Sequence, residues 1–275
     1  MFRLRTLLIA VTLAGAAVIA STPAAVSDRI FWSPSLGRTM PYRVILPDQY
    51  ASATARYPVL FLLHGYGGGF SDWTAHTKVA DYVAGRPLIV VMPEGANSWF
   101  VNSETGDAWE TYLTSDLITE VDSRFRTTAT RDGRMIAGLS MGGYAAVKAG
   151  LKHPDLYALV GSFSGAFDIT RPGDVFKGES KPDVMAVFGP IGSAVRKAND
   201  VFALASTAKV QGLPYFFLAC GTSDPWLEPN REMARTLKAR GIASEYHEQA
   251  GGHDWTFWDS AVKSFLNDPH VPRGK

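Results

Sequence analysis

The chain has 275 residues, 46% of them hydrophobic and 19% charged, which is enough apolar content for one large globular domain with a full core. Its 27 Lys+Arg against 26 Asp+Glu leave a net charge of +1, and no basic run lies beyond the extreme N-terminus, so neither nucleic acid nor an anionic membrane surface is expected as a partner. A single cysteine, Cys220, excludes an internal disulfide; inside the apolar run LPYFFLACG it reads as a small buried hydrophobe and not as a nucleophile.

At the N-terminus, Arg3 and Arg5 precede an apolar stretch from Leu7 to Ala20, and small residues follow. That layout predicts a secretory leader over residues 1–25, cleaved after Ala20 or near Ala24–Ala25, and hence a secreted or periplasmic protein with no membrane span in its mature form. An uncleaved anchor is the alternative, because the apolar run is nearly long enough to cross a bilayer. The remainder, 26–275, reads as one domain.

Along that domain, MPYRVILP (40–47) alternates like a strand, and YPVLFLLHG (57–65) is a continuous apolar run closed by glycine, as in a strand buried on both faces. RPLIVVMPEG (86–95), DGRMIAGLS (132–140), YALVGSFSG (157–165) and LPYFFLACG (213–221) have the same character. Helical patterns fall between them: TKVADYVAG, then 110–126, then 141–154; after Cys220 come 230–241, a short strand SEYHEQ and a closing helix over 254–266. Apolar strands alternating with helices predict an α/β fold with a mostly parallel sheet covered on both faces. Residues 168–211, rich in Gly, Pro and charge, break the rhythm and are expected to form a small cap at the open end of the sheet, where such folds place their sites.

The segment GLSMGG follows the strand RMIA and opens the helix MGGYAAVKAG, the context of a nucleophile elbow. A sharp strand-to-helix turn admits only small residues at 138 and 142, and lifts the Ser140 hydroxyl to the positive end of a helix. A serine N-cap after a buried strand has the same local look, so the partners decide. A serine nucleophile needs a base, and the base an orienting carboxylate. Downstream, LACGTSDPWLEP offers Asp224 directly after a buried strand, with Glu228 and Asp254 as rivals, and AGGHDWTFW presents His253 in a glycine-freed loop. A parallel sheet would bring both to the edge that carries Ser140. His64, in HGYGGG (64–69), is expected to shape its loop. That loop would supply one of two oxyanion N–H groups, from Tyr66 or as second choice Gly67, and Met141 the other. No phosphate-binding ending and no metal-ligand spacing occurs, so neither metal nor other cofactor is expected. Among the aromatics near these loops, which include Trp255 and Trp258, Trp226 and Trp99 are placed at a pocket wall suited to an acyl or aryl group.

The segments LLHGYGGGFSDW, WETYLTSDLI, IAGLSMGGYAAVKAGLKHPDLY, SFSGAFD, CGTSDPWLEPN and GGHDW resemble the esterase D-like branch of the α/β-hydrolases, from about Phe31 to Leu266. Tributyrin-type carboxylesterases are most similar, and feruloyl and acetyl-xylan esterases belong to the same branch. The resemblance implies an α/β-hydrolase fold, with nucleophile, acid and base falling on Ser140, Asp224 and His253, and oxyanion donors on Tyr66 and Met141. It implies a serine carboxylesterase working on a small or carbohydrate-linked ester. Acyl transfer of the mycolyltransferase type, or a surface-binding protein on a retired hydrolase fold, are the alternatives.

Overall fold

The computed structural model describes residues 25–272. Apart from Ala25, which opens the first strand, the leader expected over 1–25 lies outside the described residues. Eight strands form one sheet: β1 (Ala25–Ser33), β2 (Arg38–Leu46), β3 (Val59–Leu63), β4 (Ile89–Pro93), β5 (Arg134–Leu139), β6 (Leu159–Phe163), β7 (Tyr215–Gly221) and β8 (Ser244–Gln249). Their spatial order is β1-β2-β4-β3-β5-β6-β7-β8. The pairs β1/β2 and β2/β4 are antiparallel and every other pair is parallel, which is the mostly parallel sheet the apolar runs predict, in the α/β-hydrolase-like form the resemblance implies.

Connecting helices are α1 (Asp72–His76), α2 (Val79–Val83), α3 (Trp109–Thr111), α4 (Leu117–Arg124), α5 (Met141–Lys152), α6 (Pro182–Phe188), α7 (Ala194–Ala198), α8 (Val201–Thr207), α9 (Leu227–Ala239) and α10 (Trp255–Asn267). Strand β3 shows why the buried runs are continuous. Val59, Phe61 and Leu63 pack into the core under α4, α5 and α9, while Leu60 and Leu62 pack into the opposite core under α2 and α10. With successive side chains on opposite faces and helices on both, no position is left for a polar residue.

Three places differ from the sequence expectation. Strand β1 is absent from it, because Ile30 and Trp32 are 66% and 62% exposed while Phe31 and Ser33 point inward, which inverts the apolar-in pattern. The segment 168–211 is not simply irregular: it folds into α6, α7 and α8, and its first part already buries Ile169, Val184 and Phe188 in the core. The later part is core, with Val201, Phe202 and Ala205 buried and the Asn199 carbonyl accepting the Tyr144 hydroxyl of α5 at 2.7 Å. The helix expected over 110–126 is also interrupted, by a π-helical turn at Tyr112–Asp116 between α3 and α4.

Candidate active site

In-register parallel pairing carries the carboxyl ends of β3, β5, β6 and β7 to one edge, since Leu63 pairs with Gly138, Leu139 with Phe163, and Phe163 with Ala219. Ser140 follows β5 with φ 52° and ψ −115°, a conformation that non-glycine residues adopt at a cost of about 1–3 kcal/mol. The surroundings impose it: the Ser140 N–H donates to the Phe163 carbonyl at 2.9 Å, and its carbonyl accepts the Tyr144 N–H at 2.9 Å as α5 begins. Close packing explains the flanking glycines. A Cβ on Gly138 would sit 2.6 Å from the Gly142 carbonyl carbon, and one on Gly142 would sit 2.6 Å from the His64 oxygen. Both are backbone clashes that no side chain can relieve.

The three polar residues picked from chain order meet here. His253 Nε2 lies 3.0 Å from Ser140 Oγ, and His253 Nδ1 lies 2.9 Å from Asp224 Oδ2. The Asp224 side chain is wholly buried and its other oxygen accepts the Trp226 N–H at 2.8 Å. Burial alone would raise the Asp224 pKa, but the hydrogen bond and charge of His253, helped by the Trp226 N–H, hold it below the usual carboxylate range. A charged carboxylate on Nδ1 makes that nitrogen the donor, and leaves Nε2 to accept from the serine. The rival acids are engaged elsewhere: Glu228 is exposed and paired with Arg231 at 2.6 Å, and Asp254 caps α10 by accepting the Phe257 N–H. Cys220 is buried, and burial pushes its thiol up to about 12.

Among the described residues neither the Tyr66 nor the Met141 N–H meets a protein acceptor, whereas the Gly67 N–H is taken by Asn97 Oδ1 at 2.7 Å. His64 does hold the loop: its Nε2 accepts the Gly95 N–H at 2.9 Å, leaving Nδ1 to donate to the Gly65 carbonyl at 2.8 Å. Glu94, 3.6 Å from the same Nε2, is beyond hydrogen-bond length and instead accepts the Ala96 and Phe70 N–H groups.

A cavity of about 440 Å³ opens beside Ser140 and His253, lined further by Tyr66, Asp72, His76, Trp255 and Trp258. Neither of the tryptophans chosen from sequence lines it. Trp226 packs on the His253 ring at 4.4 Å, and Trp99 is 1% exposed, behind Tyr66 and against Tyr144. Asp72 and His76 belong to α1, which sequence reasoning missed, while Trp255 and Trp258 follow His253 closely enough in the chain to have been found. The rings form an unbroken arc about the serine. Tyr66 meets Phe176 at 4.8 Å, Phe176 meets Trp226 at 6.4 Å, and Trp226 leads to His253. From His253 the arc continues to Trp258 at 4.9 Å, Trp255 at 5.1 Å and His76 at 4.8 Å. A larger hollow of about 770 Å³ between α9 and β8 lies away from these groups, and its Arg231 is already paired with Glu228 and Glu248.

Comparison with known proteins shows the family. The family model described as "Putative esterase" matches residues 33–267. The acetyl esterase of Caldicellulosiruptor saccharolyticus is 30% identical over 211 residues, covering 74% of this chain and 79% of its own. Esterase Rv1288 of Mycobacterium tuberculosis is 33% identical over 254 residues, covering 82% of this chain but 54% of its own, so the chain spans about half of that relative. Feruloyl esterases and mycolyltransferases are further homologues. The fold of fluorophosphonate-binding serine hydrolase F from Staphylococcus aureus superposes with a TM-score of 0.81 at 24% identity, over 91% of this chain and 100% of that one. The chain belongs to this esterase family of the α/β-hydrolases, and it is an enzyme.

Proposed function

We propose that the protein is an exported serine carboxylesterase that hydrolyses short-chain acyl or aryl esters through an acyl-enzyme on Ser140. The observation that carries this reading is the continuous relay from Ser140 Oγ through His253 to the buried Asp224, at 3.0 and 2.9 Å, beside two N–H groups without protein acceptors. Ser140 Oγ attacks the ester carbonyl carbon while His253 Nε2 takes its proton, and Asp224 stabilises the imidazolium. The Tyr66 and Met141 N–H groups hold the carbonyl oxygen as it becomes an oxyanion. His253 then protonates the alcohol oxygen as the C–O bond breaks. Water repeats the sequence on the acyl-enzyme: His253 accepts its proton, the hydroxide oxygen bonds the acyl carbon, and the acid leaves as Ser140 regains a proton.

The ring arc supports an aryl acid or a sugar alcohol, since flat π-faces suit an aromatic ring or the apolar face of a pyranose. The leader motif, Arg3 and Arg5 before an apolar run, is the ground for export. The deciding experiment measures initial rates of the protein from residue 26 on p-nitrophenyl acetate, butyrate and octanoate and on methyl ferulate, beside Ser140→Ala. Turnover that drops about 10⁴-fold or more in the variant is expected. Preference for ferulate identifies an aryl esterase, and preference for acetate or butyrate a small-acyl one. Retention of substantial turnover in Ser140→Ala would remove the assignment.

A further inference from the structure

The loop after β3 reads Gly65-Tyr66-Gly67-Gly68-Gly69, so one side chain in five residues is available to hold it. Hydrogen bonds fix the second half of the loop: Gly67 N–H to Asn97, Gly68 N–H to the Gly65 carbonyl at 3.1 Å, and Gly69 N–H to Asp72 at 3.0 Å. The peptide that presents the Tyr66 N–H is anchored at its carbonyl end, where the Gly65 oxygen accepts the Gly68 N–H and, at 2.8 Å, His64 Nδ1. At its other end, the Tyr66 side chain supplies the tie that sets the direction of the N–H. The Tyr66 hydroxyl donates to Asp183 Oδ2 in the first turn of α6, and its ring meets Phe176 edge-on at 4.8 Å and Trp99 at 6.1 Å. Phe176 and Asp183 both belong to the cap and not to the sheet.

We propose that Asp183 is a positioning residue for ester cleavage: by accepting the Tyr66 hydroxyl it ties the cap to the oxyanion donor, so that the cap sets the rate of acyl transfer. The inference rests on Tyr66 supplying an oxyanion N–H. A charge-stabilising N–H must lie within about 0.4 Å of its working distance, and displacements of about 1 Å cost up to about 100-fold in rate. Burial and the neighbouring Asp183 push the Tyr66 phenol up to about 12, so it remains a donor across the range in which an ester hydrolase is assayed.

The test is steady-state kinetics on p-nitrophenyl acetate, whose single-methyl acyl group limits direct contact with the cap. Asp183→Ala and Tyr66→Phe should each lower kcat about 10- to 100-fold with KM within about twofold, and the double variant should be no worse than either single. Asp183→Asn keeps an acceptor oxygen and should recover kcat to within about threefold. Active-site titration with a fluorophosphonate supplies the folded, competent fraction against which kcat is normalised. Unchanged kcat in the single variants, additive losses in the double, a change confined to KM, or an Asp183→Asn as slow as Asp183→Ala would each overturn the proposal. Its failure is separable from failure of the esterase reading: wild-type rates in Asp183→Ala with turnover lost in Ser140→Ala sinks this inference alone.

Discussion

Asp224 and Glu228 are four residues apart, yet the fold gives them opposite environments: the first is wholly buried on His253, the second is exposed on Arg231. Asp224→Asn should therefore leave the fold intact and lower kcat by about 10⁴-fold, because an amide can present its N–H to Nδ1 and stabilise the wrong tautomer. Glu228→Gln should stay within about twofold of the wild type, an exposed ion pair contributing little. Equal losses in kcat/KM from the two would contradict the geometry. Gly142 is a second residue-scale test. Its added Cβ meets the His64 oxygen at 2.6 Å and the Leu63 oxygen at 2.7 Å, both backbone, so Gly142→Ala should destabilise by about 1–3 kcal/mol and slow turnover by moving the adjacent Met141 N–H. Serine, acid and base were legible because their chain order and strand ends converge on one edge. The pocket wall was not: whether an indole lines a cavity or stands one layer behind it depends on packing between distant segments. Trp99 stands behind Tyr66, while Asp72 and His76 reach the cavity from a five-residue helix with no periodic signal.

Among the elements, α5 is buried along nearly its whole length, which the small residues of MGGYAAVKAG permit by close approach to β5 and β6. Its one deeply buried charge, Lys148, is 1% exposed; its ammonium donates to the Phe100 carbonyl and pairs with Glu110 at 3.0 Å. Burial pulls the Lys148 pKa down to about 8 despite that partner. Burial alone would raise Glu110, but Lys148, His153 and Lys152 overrule it and hold its carboxyl well below the usual range. The pair thus ties the helix behind Ser140 to α3 and to the loop at 94–100. Glu110→Ala leaves a buried ammonium with one carbonyl and should destabilise by about 3–5 kcal/mol. Lys148→Met removes charge and desolvation together and should cost less, although it leaves Glu110 with Lys152 and His153 only. Denaturant midpoints check the ranking, and a milder Glu110→Ala would refute the pairing. Elements with one strong period were legible. The cap helices were not, because Gly, Pro and charge dilute their pattern, and α8 is held by contacts with α5 and α9 instead of by its own propensity.

For the whole molecule, carboxyls are shifted in both directions, and acid should act on the two kinds with opposite sign. In the body around the site, Glu94 is pushed up by burial, but the Ala96 and Phe70 N–H groups that its oxygens accept help to hold it below the ordinary value. In the cap, Asp168 and Asp174 are pushed above the ordinary value by burial, only partly offset by backbone N–H groups. A folded-state pKa below the unfolded one means that stability is fully present above about 4.5 and drains as pH falls toward about 2, because the unfolded chain takes up the proton first. For Glu94 a shift from 4.5 to about 2 amounts to about 3 kcal/mol. Asp168 and Asp174 run the other way: their protonated forms are favoured in the fold, so mild acid relieves a cost there while it weakens the hold of Glu94 on the Phe70 and Ala96 N–H groups. Global stability, read from urea midpoints between pH 6 and pH 2.5, should therefore fall mainly below about 4.5. Glu94→Gln should start less stable at neutral pH and show a shallower fall over the same range. An equally steep fall in the variant would assign acid sensitivity to other carboxylates, and would detach Glu94 from the loop that its oxygens hold.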